Sequence, residues 1–168
     1  MGEQPSRKPE TFDAYYLADF GPLTWFAIRI GASCVPEAED VAQDAMRTAL
    51  RHWADVGHPF AYTRMAVRRE LARTRAKATR RREAERLAAG DGRLDDAFDQ
   101  DVTRVIALLG ALPAAQREVL ALAMDGFEPA EIAAINGQNV ATVRSNLRHA
   151  RRKLIELMHT GREGGDGP

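Results

Sequence analysis

Arginine dominates the side chains of this sequence that could do chemistry. The stretch from Val140 to Leu154 carries Arg144, Arg148, Arg151, Arg152 and Lys153 with no acid, interleaved with Ser145 and His149. The stretch from Arg64 to Arg82 carries nine basic residues against Glu70 alone. Guanidinium groups at this density suit neutralisation of phosphates and bidentate recognition of base edges. The acids Glu37, Glu39, Asp40 and Asp44 gather in one short stretch. They follow Pro36 at the start of a helical pattern and have no partnered histidine, so capping and docking outweigh a metal-centred hydrolytic role. His52, His58, His149 and His159 lack a ligand spacing. Cys34, the only cysteine, excludes an intrachain disulfide and a cysteine-based zinc cluster. It reads as a small buried group in a reducing cytoplasm. No catalytic residue, metal site or cofactor is expected.

The elements that must position these groups read as helices. Ala and Leu are plentiful among the 168 residues, aromatics make up 7%, and no strand-like alternation of any length occurs. A helical pattern spans Phe12 to Gly31, and Gly21-Pro22 predicts a break into two helices. Pro36 opens the next helix. Its apolar positions Ala38, Val41, Ala42, Ala45, Met46, Ala49, Leu50 and Trp53 form one face, with Asp40, Gln43, Asp44, Arg47 and Arg51 opposite. Trp25 and Trp53 read as core. A long basic helix follows Gly57-His58-Pro59, running from about Phe60 to beyond Lys77. Shorter helices are expected from Val102 to about Leu112, from Gln116 to Met124 and from Pro129 to Ile135, with a final one capped by Asn139 and running to about His159. No run of apolar residues is long enough to cross a membrane, and the first ten residues lack the apolar core of a signal peptide.

The formal net charge is zero, which taken alone argues against a nucleic-acid partner. The distribution argues otherwise: residues 1–82 carry +4, residues 83–101 carry −5 and residues 102–168 carry +1. Two basic blocks flank an acidic connector that also holds Gly90 and Gly92. The fold expected is all-α: a disordered tail over 1–11, a helical domain over 12–82, a flexible acidic linker over 83–101, a second helical domain over 102–159 and a disordered tail over 160–168.

The C-terminal domain carries a helix-turn-helix. Two short helices crossing steeply need a small residue at their contact, which Ala133 supplies. The tight turn needs positive φ, which Gly137 permits. The second helix must bury an apolar residue against the first, and Val143 stands at that place. Val140, Val143, Leu147, Ala150, Leu154 and Leu157 then recur at steps of three and four and form one buried stripe, which leaves the arginines outside.

Leu112-Pro113-Ala114-Ala115-Gln116-Arg117-Glu118-Val119-Leu120, Gly126-Phe127, Glu131-Ile132-Ala133 and Thr142 to Leu154 together resemble region 4 of bacterial sigma factors, in particular of the small extracytoplasmic-function group. Glu39 to Ala45 resembles the core-binding helix of region 2 in that group, and Pro59-Phe60-Ala61-Tyr62 with the basic helix resembles its promoter-melting part. The resemblance implies an RNA polymerase sigma factor that directs promoter recognition and has no catalysis of its own. Asp40, Gln43, Asp44 and Arg47 would then meet the β′ coiled coil of core RNA polymerase, and the C-terminal domain the β flap. Residues around Ala54 to Phe60 match the loop that captures a flipped base. Tyr62, Arg64, Arg68, Arg69 and Arg73 would contact minus-10 promoter DNA. Thr142, Arg144, Ser145, Arg148, His149, Arg151 and Arg152 would contact the minus-35 element. The family also implies an anti-sigma factor as partner. Three features depart from its pattern: Glu128 replaces the usual Ser or Thr cap, which predicts a weaker cap; Arg69 replaces a common Asn; and the segment from Pro59 to Met65 holds few aromatics. The end of the chain soon after Met158 implies no further regulatory domain. A competing reading is a stand-alone helix-turn-helix regulator with an N-terminal dimerisation or sensing domain; a helical hydrolase is a remote third.

Overall fold

The computed structural model describes residues 8–84 and 100–163, with side chains for 8–77 and 100–159. Seven helices and no strand occur among the described residues: α1 (Phe12–Ile30), α2 (Val35–Arg51), α3 (Pro59–Ala84), α4 (Gln100–Gly110), α5 (Ala114–Met124), α6 (Pro129–Asn136) and α7 (Val140–Glu163). The expected tail over 160–168 and most of the expected linker (residues 85–99) lie outside the described backbone or side chains. So do residues 1–7 of the other tail. Residues 83 and 84 close α3, and residues 100 and 101 open α4.

Helix α1 is continuous, which corrects the expected break at Gly21-Pro22. Pro22 cannot donate to the Ala18 carbonyl, but Ala18, Gly21 and Pro22 are all exposed, so that carbonyl stays open to water. Leu23 and Phe26 on the other side are fully buried and hold the axis. The Thr11 hydroxyl caps the helix by accepting from Ala14 N–H at 3.2 Å. Gly31 ends it with φ 106°, Gly31 N–H reaching the Ile28 carbonyl and Ala32 N–H the Ala27 carbonyl, each at 2.9 Å.

Helices α1, α2 and α3 form a bundle around Tyr15, Phe26, Met46 and Leu71. Tyr15 stacks on Trp53 at 5.3 Å and meets Phe60 edge-on at 5.0 Å, which ties α1 to the α2 end and to the α3 start. Helices α5, α6 and α7 close a second core around Val119, Leu122, Ile132 and Val143. The two cores are continuous: α1 packs on α4 and α5, and α3 packs on α6. Two aromatic and apolar placements differ from expectation. Trp25 is 42% exposed and Leu50 52% exposed, because each falls at the edge of its helix's buried stripe rather than inside it. Trp53 is half-buried against the core, and Lys8 lies over its ring at 4.7 Å.

The Tyr15 hydroxyl is fully buried and donates to the Asp19 carboxylate at 2.9 Å. Burial, reinforced by the Asp19 charge, pushes its pKa far above the ordinary 10.0. The folded chain therefore keeps a proton that the unfolded chain loses, so this contribution is complete below about pH 10 and declines above it. Tyr15→Phe is expected to cost about 1–2 kcal/mol at neutral pH through the lost hydrogen bond. It should also flatten the alkaline loss of stability by up to about 1.4 kcal/mol per pH unit above pH 10. Urea melts of both proteins from pH 8 to 11 measure it, and parallel pH profiles would refute it.

Candidate nucleic-acid interface

The helix-turn-helix assembles as its residues require. Ala133 is buried at the crossing of α6 and α7, and Gly137 turns the chain with φ 65° and ψ 35°. Its N–H and that of Gln138 both return to the Ala133 carbonyl. Val143 is fully buried, a placement that contributes about 1.5–3 kcal/mol. The Asn139 side chain caps α7 by accepting from Thr142 N–H at 2.7 Å. At the start of α6 the Glu131 carboxylate accepts from Glu128 N–H at 2.8 Å. This supplies from the other direction a bond of the kind the expected Ser or Thr cap would share in.

Burying the Val143, Leu147 and Ala150 stripe turns the basic face of α7 outward. Thr142, Arg144, Arg148, Arg151 and Arg152 are exposed, and Ser145 and His149 are half-buried. Arg144, Arg148, Arg151 and Arg152 border one surface groove of about 740 Å³ whose other bank includes Phe127 and Glu128. Arg152 has Glu156 at 3.8 Å, an exposed pair of little consequence. The face is free to meet a polyanion.

On the N-terminal bundle the predicted residues divide. Tyr62, Arg69 and Arg73 gather with Asp44 along a groove between α2 and α3. Arg69 and Arg73 are exposed, with Glu70 at 2.8 Å from Arg73. Arg68 is half-buried and donates to Glu118 at 2.8 Å and to the Ile135 carbonyl at 3.4 Å. Arg64 is 3% exposed. It ion-pairs with Asp19 and donates through Nε to Asp125 at 2.9 Å. Burial alone would lower the Arg64 pKa, but the Asp19 and Asp125 carboxylates more than offset it and hold the guanidinium above its ordinary value. Arg64 thus presents no free surface here.

Asp40, Gln43, Asp44 and Arg47 are all exposed on one face of α2. Arg47 reaches Asp44 at 2.9 Å and Gln43 at 3.4 Å, and the exposed Leu50 extends the face. The loop between α2 and α3 buries Val56 and exposes His52, Asp55 and His58 beside a groove of about 570 Å³.

Asp19, Asp125, Glu118 and Arg29 form the polar seam between the two helical units, Arg29 pairing with Asp125, and none of the four is among the site residues expected from the sequence. One signal was present. Asp19 stands between Tyr15 and Leu23 at steps of four, inside the stripe that α1 buries, and a carboxylate there demands a cationic partner. Among the described residues no group of three His, Cys, Asp or Glu is placed to hold a metal ion, and no helix is long and apolar enough to cross a membrane.

Residues 103–154 match the family model for sigma-70, region 4. The sigma factor RpoE from Bartonella quintana, solved with the anti-sigma factor NepR, superposes with a TM-score of 0.72 at 27% identity, covering 88% of this chain and 96% of that one. CnrH, solved with the cytosolic domain of CnrY, superposes with a TM-score of 0.66 at 24% identity, covering 89% of this chain and 88% of that one. A comparison with curated protein sequences returns no match. The likeness runs through both helical units, whereas a stand-alone helix-turn-helix regulator would need it only in the second. The region 4 match, together with a fold shared with RpoE through both helical units, supports an RNA polymerase sigma factor of the extracytoplasmic-function type.

Proposed function

We propose that this sigma factor divides its work between two separately placed polar faces. The exposed arginine face of α7 reads the minus-35 element, through Thr142, Arg144, Ser145, Arg148, His149, Arg151 and Arg152. The N-terminal unit, residues 12–82, handles the minus-10 element with Tyr62, Arg68, Arg69 and Arg73, while the α2–α3 loop captures an unstacked base. The exposed α2 face, Asp40, Gln43, Asp44 and Arg47, docks on the β′ coiled coil, and the C-terminal unit, residues 102–159, meets the β flap. An anti-sigma factor is a further partner, in keeping with the two complexes to which the fold is similar. The protein works in the cytoplasm and performs no catalysis of its own. The segment 83–101 joins the units and threads its acidic residues toward channels that otherwise hold nucleic acid.

The observation that carries this reading is that one helix presents an open acidic face and another an open arginine face, on opposite units of one chain. Asp44→Arg is expected to weaken association with core RNA polymerase by at least about tenfold, because a like charge at a docking surface costs several kcal/mol. Co-purification of the tagged variant with core enzyme tests it, and undiminished recovery would remove the α2 assignment.

A further inference from the structure

Arg29, Arg64 and Arg68 each have a carboxylate partner in Asp19, Asp125 or Glu118. Arg75 of α3 and Arg117 of α5 have none among the described residues. Both converge on Gly31, at the end of α1. Arg75 Nη2 and the Arg117 Cζ and Nη2 atoms all lie within 3.4 Å of the place where a β-carbon on that residue would stand. Only a glycine leaves room there for two guanidinium groups, and the same residue supplies the φ of 106° that ends α1.

Most of the donors of this pair are unspent. Arg75 uses Nη2 alone, on the Ile30 carbonyl and, at 3.1 Å, on the Gly31 carbonyl. The Arg117 side chain makes no hydrogen bond among the described residues, and its Nε is buried without a partner. Glu118, the next residue, gives its carboxylate to Arg68 at 2.8 Å. Both arginines are half-buried. Burial and the neighbouring Arg75 charge lower the Arg117 pKa. Two cations thus face each other, partly out of water, with open N–H groups and no described acid to offset them. What the contact lacks is a compact anion with several acceptor oxygens. Phosphate fits that description, because its oxygens match the guanidinium fork in both charge and geometry.

We infer that Arg75 and Arg117 form a binding site, at Gly31, for a small oxyanion of the phosphate class. Neither arginine is among the residues assigned to DNA or to core polymerase above. The test titrates the full chain with pyrophosphate at constant ionic strength and follows heat and the arginine Nε–H signals in nuclear magnetic resonance spectra. The Arg75 and Arg117 signals, each identified by its loss in a single Arg→Lys variant, should shift together with the calorimetric isotherm. Arg117→Gln should weaken this binding about tenfold or more, the loss expected when a charged hydrogen-bond donor is removed. Arg117→Lys keeps the charge but not the fork and should fall between the two. Pyrophosphate at about one hundred times its Kd should raise the melting midpoint of the parent by roughly 5 °C or more, and that of Arg117→Gln by much less. ADP is the second probe: tighter binding than pyrophosphate identifies a nucleotide as the ligand, and equal or weaker binding a free inorganic anion. A titration that moves the α7 arginine signals but not those of Arg75 and Arg117 overturns the site. So does equal affinity in the parent and both Arg117 variants.

Discussion

Asp19→Ala is expected to destabilise the protein by about 3 kcal/mol or more, the cost of leaving a buried guanidinium without one of its carboxylates. Arg64 has almost no access to solvent, and its two ionic partners are Asp19 and Asp125. Asp19 also accepts from the buried Tyr15 hydroxyl, which would keep the Pro59 carbonyl and the Thr63 hydroxyl as partners but lose its charged acceptor. The midpoint of thermal unfolding should fall by roughly 6–12 °C for a chain of this size. Asp125→Ala should cost less, because Asp19 still neutralises Arg64 within the N-terminal bundle. Scanning calorimetry of both variants measures the difference. An Asp19→Ala melting temperature equal to that of the parent would mean that Arg64 finds another partner, and the ionic seam would lose its central role.

Arg148→Ala is expected to weaken promoter binding by about 1–3 kcal/mol without affecting folding. Arg148 is exposed, beyond the buried stripe of α7, and the cap at Asn139 and the Val143 contact do not involve it. The dependence on salt separates two roles. Loss of a phosphate contact should reduce the slope of log affinity against log salt by about one and weaken all sequences alike. Loss of a base contact should leave the slope nearly unchanged and relax preference at one position of the minus-35 element. Binding of holoenzyme to promoter and scrambled fragments at several salt concentrations distinguishes these outcomes. Undiminished affinity for every fragment would take Arg148 out of the interface.

The parts legible in the sequence were those set by local geometry. Ala133, Gly137 and Val143 lie within one turn and two short helices, so spacing alone constrains how they meet. The open face of α2 followed from its strong amphipathic period, and the Asn139 cap from its side-chain chemistry. The parts that were not legible depend on contacts far apart in the chain. Arg64 looked like one more member of a basic run, and its second carboxylate partner lies 61 positions away. Pro22 looked like a helix break because the rule concerns backbone bonds, whereas burial of Leu23 and Phe26 decides the outcome. Trp25 and Leu50 carry apolar side chains at helical spacing, but a spacing does not say how wide the covered stripe is. The zero net charge is the same lesson on a larger scale: a total does not say which groups meet, and Arg64 with Asp125 and Arg68 with Glu118 pair across the seam between the two units.

As a sigma factor, this chain gives core RNA polymerase its choice of start sites. The most direct measurement mixes the purified full chain with purified core enzyme and genomic DNA and maps the 5′ ends of the transcripts. Discrete new starts are expected, absent with core enzyme alone, each preceded by the same pair of minus-35 and minus-10 sequences. A pattern of starts indistinguishable from that of core enzyme alone would contradict it.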